Sequence, residues 1–200
     1  MLPQILQFLE DDLQRRLADV TRAFSSLKTC QNLSDLQNLD DKSADALLCP
    51  NLLHGDAAPL DTLLLMGQKL QGDGLLLTNL LGARSVEHLP ENNCNPLPDV
   101  RDVGNVLTQL KYALPVVDSH FLTLTFDTLE KLNETAAELL LIHTPLPDFE
   151  PRADGKYALD LEILTLTAWK PHKSQPQPLR PGQYKVKMED VLGTSNTGDD

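Results

Sequence analysis

Long apolar runs are missing from this chain: no stretch approaches the roughly 20 consecutive apolar residues needed to cross a bilayer. Its start also lacks the basic, apolar and small-residue succession of a secretion signal, so the chain reads as water-soluble. Basic charge is scarce. Seventeen Lys and Arg stand against 29 Asp and Glu, a net charge of -12, and without clustered cations general nucleic-acid binding is not expected. Cysteines are few: Cys30, Cys49 and Cys94 are odd in number and show no CxxC spacing, which implies neither a disulfide framework nor a zinc site. Aromatic residues make up only 4% of the 200, so the 41% hydrophobic content leaves leucine to do most of the packing, in a chain long enough for one core and an extension.

Groupings that carry chemistry are missing as well. His54, His88, His120, His143 and His172 are scattered, with no pair at helical spacing and no adjacent carboxylate set to share a metal. No Ser, His and Asp arrangement or carboxylate pair stands out. Gly67 to Gly74 has the glycines of a phosphate loop without its Lys-Ser/Thr. Asn32-Leu33-Ser34 and Asn133-Glu134-Thr135 fit glycosylation sequons and are read as chance matches. We therefore assign no catalytic, cofactor-binding or metal-binding residue and expect no enzyme and no cofactor. One stretch departs from this: His54-Gly55-Asp56, followed by Pro59 and Asp61, resembles the catalytic loop of aminoglycoside-phosphotransferase-like kinases, which would make Asp56 a base. The position for a magnesium-holding amide is Asp61, and no Gly-rich loop precedes the motif, so a small kinase-like phosphotransferase remains a remote alternative.

What is present is periodicity. Leu2, Leu6, Leu9, Leu13, Leu17, Val20, Phe24 and Leu27 step by threes and fours and predict a helix of about seven turns, with Asp11–Arg15 and Asp12–Arg16 as exposed pairs four residues apart. Its seam, Leu6, Leu9, Leu13, Leu17, Val20 and Phe24, either lies on the chain's own domain or joins a partner helix as a coiled coil. Residues 29–56 are polar and read as a connector. Pro59 opens a second helix bearing Leu60, Leu63, Leu64 and Leu70, ended by Gly72-Asp73-Gly74; the run Leu75 to Leu81 suits a strand, and a long loop follows from Gly82 to Gly104. Order returns from Val106 to Leu114. Leu122, Leu124 and Phe126 alternate with Thr123 and Thr125 as a half-buried strand. Asp127 and Glu130 offer a capping box for a helix bearing Leu129, Leu132 and Ala136, and Leu139 to Ile142 reads as a central strand. Tyr157, Leu159, Leu161 and Ile163 form the last strand, with a bulge expected at Ile163-Leu164.

Two units of helix, strand, loop and strand predict an α+β protein: an amphipathic or coiled-coil helix at 1–28, the connector, a ferredoxin-like αββαββ domain with an antiparallel sheet at 57–169, and a tail at 170–200. The tail combines a Pro-rich linker, a short edge strand around Tyr184, Val186 and Met188, and a disordered acidic end. This layout resembles the soluble part of PilO-type type IV pilus assembly proteins and their GspM-type relatives in type II secretion. The matching stretches are Pro59-Leu60-Asp61-Thr62-Leu63-Leu64 with Gly74-Leu75-Leu76-Leu77, then Leu122 to Phe126 with Leu129 and Leu132, then Gly155 with Leu159 to Ile163. The resemblance implies a non-enzymatic structural protein on the periplasmic side of the bacterial inner membrane, forming a homodimer or a heterodimer with a sister assembly protein and reaching the membrane only through a missing anchor or a partner. A cytoplasmic or virion-associated adaptor, with the first helix folded onto its own domain, is the alternative.

Overall fold

The structure, a computed structural model, describes residues 2–175. In chain order it runs α1 (Leu2–Ala18), β1 (Leu27–Thr29), α2 (Leu33–Gln37), β2 (Ala44–Cys49), α3 (Pro59–Lys69), β3 (Leu70–Leu81), α4 (Val100–Gln109), β4 (Ala113–Phe126), α5 (Leu129–Glu138) and β5 (Tyr157–Trp169). Five strands make one sheet in the order β1-β2-β3-β5-β4. The first three are parallel, and β5 lies antiparallel between β3 and β4.

This order corrects the ferredoxin-like expectation. Two βαβ crossovers, through α2 and α3, return the chain to the same end of the sheet and build a parallel half of the Rossmann kind. The decisive strand is β2, inside the stretch read as a polar connector. All six of its residues are buried, as a parallel strand covered on both faces requires. Conversely, Leu139 to Ile142 forms no ladder. Leu139 ends α5, Leu140 takes a left-handed φ of 54°, and Ile142 makes a single isolated bridge to Cys94. The predicted bulge at Ile163-Leu164 is absent from both ladders of β5; the register shift falls between Ala113 and Val116 of β4. The helix cap is Thr128, whose side chain accepts from the Lys131 amide, rather than Asp127.

Strand alternation divides the core. Leu47, Cys49, Leu76, Leu164 and Leu166 face α2, α3 and α4, which contribute Leu36, Leu63, Met66, Val103 and Leu107. Ala46, Leu48, Leu75 and Leu77 point the other way, where Leu13 of α1 packs on them. The beginning of α1, with Ile5 and Leu9, joins α5 and the far half of β5 in a further cluster.

Helix α1 ends at Ala18, well short of the expected seven turns, and the coiled-coil expectation is corrected with it: the apolar face is covered by the chain's own sheet. Of the predicted seam, Leu9 and Leu13 are buried, Leu17, Val20 and Phe24 pack partly against the same cluster, and Leu6 is exposed. Polar contacts fix the helix on its bed. Asn79 of β3 donates to the Leu9 carbonyl (2.8 Å), Thr165 of β5 donates to the Asp12 carboxylate (3.1 Å), and Arg16 reaches Asp118 of β4. Asp12, expected on an exposed flank, is buried and also accepts from Arg15 and from Arg16 Nε (3.1 Å), while Asp11 takes Gln7 instead of Arg15.

Burial alone would push the Asp12 carboxyl up, but the guanidinium groups of Arg16 and Arg15, helped by Thr165, hold it below its ordinary value of 3.8. A carboxyl lowered in the folded state stabilises fully above the unfolded value, and that contribution is lost as pH falls through the folded value, because the unfolded chain binds the proton first. Urea unfolding across an acid series should therefore show stability dropping as pH falls below about 4. Asp12→Asn should flatten that limb. An acid limb of the same depth in the variant would remove Asp12 from the account.

Candidate functional site

In open α/β sheets, ligands settle beyond the carboxyl ends of the parallel strands. A cavity of about 460 Å³ lies there, after β2 and β3. Its walls are the loop that leaves β2 (Leu53, His54, Asp56), the start of α3 (Leu60, Leu63), Leu80 of β3, the segment Asn95–Pro98, α4 (Asp102, Val103), and Leu140 beyond α5.

Each wall has a local cause. Where the loop leaves β2, Thr78 donates to the Cys49 carbonyl (2.7 Å), and the buried Asn79 side chain accepts from the Asn51 amide (2.8 Å). Gly55 has a φ of +72°, a backbone conformation that favours glycine, and a Cβ built there would lie 2.4 Å from Leu140 Cδ1, the movable end of a half-exposed side chain. Pro59 opens α3 at its first turn, where its missing N–H costs nothing. The opposite wall is tied by Asn95, whose side chain donates to the Leu140 carbonyl and whose amide donates to the Leu141 carbonyl, both at 2.8 Å. His54 closes the ring: its Nε2 donates to the Leu139 carbonyl at 2.6 Å.

That last bond sets the state of the imidazole. A carbonyl can only accept, so the proton sits on Nε2 and Nδ1 is the basic atom. Burial lowers the His54 pKa below its ordinary 6.5, against the opposing pull of the Leu139 carbonyl, so the ring is neutral near pH 7. Asp56 is divided. Its Oδ1 accepts from the Ala58 amide (3.0 Å), whereas its buried Oδ2 has no hydrogen-bond partner among the described residues. Asp102 adds a second carboxylate, and among the described residues no Lys or Arg lines the cavity. The site is thus an apolar chamber with negative charge, a neutral imidazole and an unmatched acceptor.

None of this was assigned from the sequence. His54-Gly55-Asp56 drew notice only through the kinase resemblance, with Asp56 as its base, and His54 was otherwise grouped with four scattered histidines. The signal that could have found the loop is Gly55 between two polar residues at the end of a buried strand. The remaining histidines do not converge on it: His120 lies beside Phe8 of α1 (ring centroids 6.2 Å apart) and His88 beside Phe149 (6.3 Å). Among the described residues no group of three His, Cys, Asp or Glu is placed to hold a metal ion, and no helix is long and apolar enough to cross a membrane.

Comparison with known proteins changes the functional reading. No family model matches the chain. It is similar to the mitochondrial arginine-hydroxylase NDUFAF5 of Dictyostelium discoideum, 21% identical over 196 residues that cover 82% of this chain and 45% of that protein. It is also similar to malonyl-[acyl-carrier protein] O-methyltransferase of Gallionella capsiferriformans, 26% identical over 127 residues covering 51% and 44%. The chain spans less than half the length of these two curated relatives. Among solved structures it overlays the YcgJ protein of Bacillus subtilis (TM-score 0.47, 14% identity, 68% of this chain and 67% of that one) and a SAM-dependent methyltransferase of Archaeoglobus fulgidus (0.40, 14%, 68% and 64%). These overlays are partial, and the architecture rests on the strand order and directions given above. The two curated relatives are enzymes, neither of them a kinase, so the non-enzymatic pilus or secretion assembly protein, the structural adaptor and the phosphotransferase around Asp56 are all corrected. The periplasmic placement rested on the pilus resemblance and falls with it, NDUFAF5 being a mitochondrial protein.

Proposed function

We propose that this chain is the substrate-holding part of an enzyme of the methyltransferase type, and that the cavity beside His54 and Asp56 takes an acceptor with a cationic group on an apolar stem. The observation that carries this reading is the buried Asp56 Oδ2, which has no hydrogen-bond partner among the described residues and stands at the edge of an apolar chamber that none of their Lys or Arg side chains lines. A buried carboxylate oxygen lacking a donor is costly, and a guanidinium or ammonium group supplies donor and charge together. The names of the two relatives suggest opposite acceptors, an arginine and an acyl carboxylate. The field of Asp56 and Asp102 favours the first: a like charge within ~4 Å costs on the order of 4 kcal/mol at an effective dielectric constant near 20. His54, neutral with Nδ1 free of the proton, is the group here suited to take one from the acceptor.

Such enzymes take their methyl group from S-adenosylmethionine, which supplies an electrophilic carbon on a nucleoside that also bears a carboxylate. In a Rossmann-type sheet the glycine-bearing turn that approaches such a nucleoside follows a central strand, whereas the first βα turn of this chain follows the edge strand β1. The turn in this chain, Cys30-Gln31-Asn32, has no glycine, and its Cys30 and Gln31 amides are already engaged. The Gln31 amide donates to Asp35 Oδ2 and the Asp35 amide to Asn32 Oδ1, both at 3.0 Å. The Asp35 carboxylate would also repel the cofactor's own. These residues do not fit the cofactor, and no step is routed through it.

Calorimetric titration with N-acetylarginine amide and, separately, malonate tests the acceptor class. Binding of the arginine derivative with none of malonate is expected. The reverse order would overturn the reading.

A further inference from the structure

The carboxyl edge of the parallel strands holds a second chemical feature that plays no part in the cavity. Thr29 of β1 pairs with Leu48 of β2, and the Cys30 amide continues the ladder with a 2.9 Å bond to the Leu48 carbonyl. Cys30 and Cys49 therefore occupy neighbouring positions on adjacent parallel strands, and both side chains enter the same core cluster. Strands lie about 4.8 Å apart, inside the Cα separation of roughly 4.4 to 6.8 Å that a disulfide spans.

The two thiols also set each other's ionisation. Cys49 as hydrogen-bond donor lowers the Cys30 pKa, outweighing burial and the nearby Asp35, while Cys30 pushes the Cys49 pKa well up, with burial adding to it. This is the asymmetry of an attacking and a resolving thiol. Both are buried, but the cover over Cys30 is slight. β1 is a three-residue edge strand, α2 has five residues, and Gln31, Asn32 and Leu33 are exposed. Short edge elements open locally at lower cost than central strands, and here Cys30 and Leu36 are the buried side chains that such an opening would expose.

We propose that Cys30 and Cys49 form a redox site, a dithiol that closes to an intramolecular disulfide within the native fold. With a low-molecular-weight disulfide such as glutathione disulfide as oxidant, the Cys30 thiolate attacks one sulfur, breaks the S–S bond and releases one glutathione thiolate. Cys49, giving its proton to water, then attacks the Cys30 sulfur, forms the Cys30–Cys49 bond and releases the second glutathione. The protein loses two hydrogens and two electrons, and one glutathione disulfide becomes two thiols. Cys94 serves as an internal reference: its thiol donates to the Pro90 carbonyl (3.3 Å), and burial raises its pKa. This inference does not depend on what the cavity binds.

The test is equilibration of the full chain in glutathione redox buffers without denaturant, followed by intact mass, thiol counting and circular dichroism. The free thiols, three in the reduced chain, should fall to one, with a product two hydrogens lighter that carries no glutathione and keeps the native spectrum. Cys49→Ser should stop at a stable glutathione adduct on Cys30, and Cys30→Ser should leave Cys49 unmodified. Cys94→Ser should oxidise as the parent does. Accumulation of the adduct in the parent, oxidation only after denaturation, or loss of the native spectrum on oxidation would each overturn the proposal.

Discussion

Leu13→Ala is expected to lower the unfolding free energy by about 2 to 5 kcal/mol, the range for truncating a fully buried leucine whose site cannot collapse. Leu13 has no solvent exposure and sits on Ala46, Leu48, Leu75 and Leu77. Two of those neighbours lie on β2 and two on β3, strands fixed by their own ladder, so they cannot move up to fill the gap. The helix above is held equally firmly by the Asn79, Thr165 and Asp118 contacts. Urea unfolding of parent and variant measures the loss, with Leu6→Ala as the control. Leu6 is 40% exposed and its truncation should cost far less. Equal losses at the two positions would mean that α1 does not lie on this sheet as described.

Asp56→Asn is expected to weaken binding of a cationic acceptor about 10- to 100-fold, equivalent to the roughly 1.5 to 3 kcal/mol of a charge-assisted hydrogen bond. The amide keeps the shape and leaves an oxygen to accept from Ala58, so the loop should stay folded and the change should report charge. Asp102→Asn, at an exposed position on the first turn of α4, should cost less because water screens it. Calorimetry on both variants, with thermal melts to confirm folding, separates the two. If Asp56→Asn bound N-acetylarginine amide as tightly as the parent, the carboxylate would not be the recognition group.

How far the sequence revealed this molecule depends on which residues signal locally. Alternation in Tyr157 to Ile163 and Leu122 to Phe126 marked β5 and β4, Pro59 marked the start of α3, and the leucine-rich run Leu75 to Leu81, bounded by Gly74 and Gly82 and buried on both faces, marked most of β3. β2 escaped because six residues buried on both faces show no alternation, and the Asn- and Asp-rich stretch around them looks like a connector. Losing that strand lost the parallel half of the sheet, and with it the fold class. Leu139 to Ile142 misled for the opposite reason: four apolar residues at a helix end look like a buried strand, although the left-handed Leu140 turns the chain away and leaves its side chain half exposed. The cavity was harder still. His54-Gly55-Asp56 stands out in the sequence, but the carbonyl that orients His54 belongs to Leu139, 85 positions on, and the asparagine that secures Leu140 is Asn95. Only the folded chain brings those pieces together.

The most direct test of the central claim is to locate the acceptor itself. Amide chemical-shift mapping of the isotopically labelled chain during titration with N-acetylarginine amide would do so. The account predicts saturable shifts centred on Gly55, Asp56, Asn95 and Asp102, the rim of the cavity beyond β2 and β3, with little change along Cys30 to Leu36. Shifts centred on the β1–α2 turn, or spread over the outer face of β4 with the cavity silent, would contradict it.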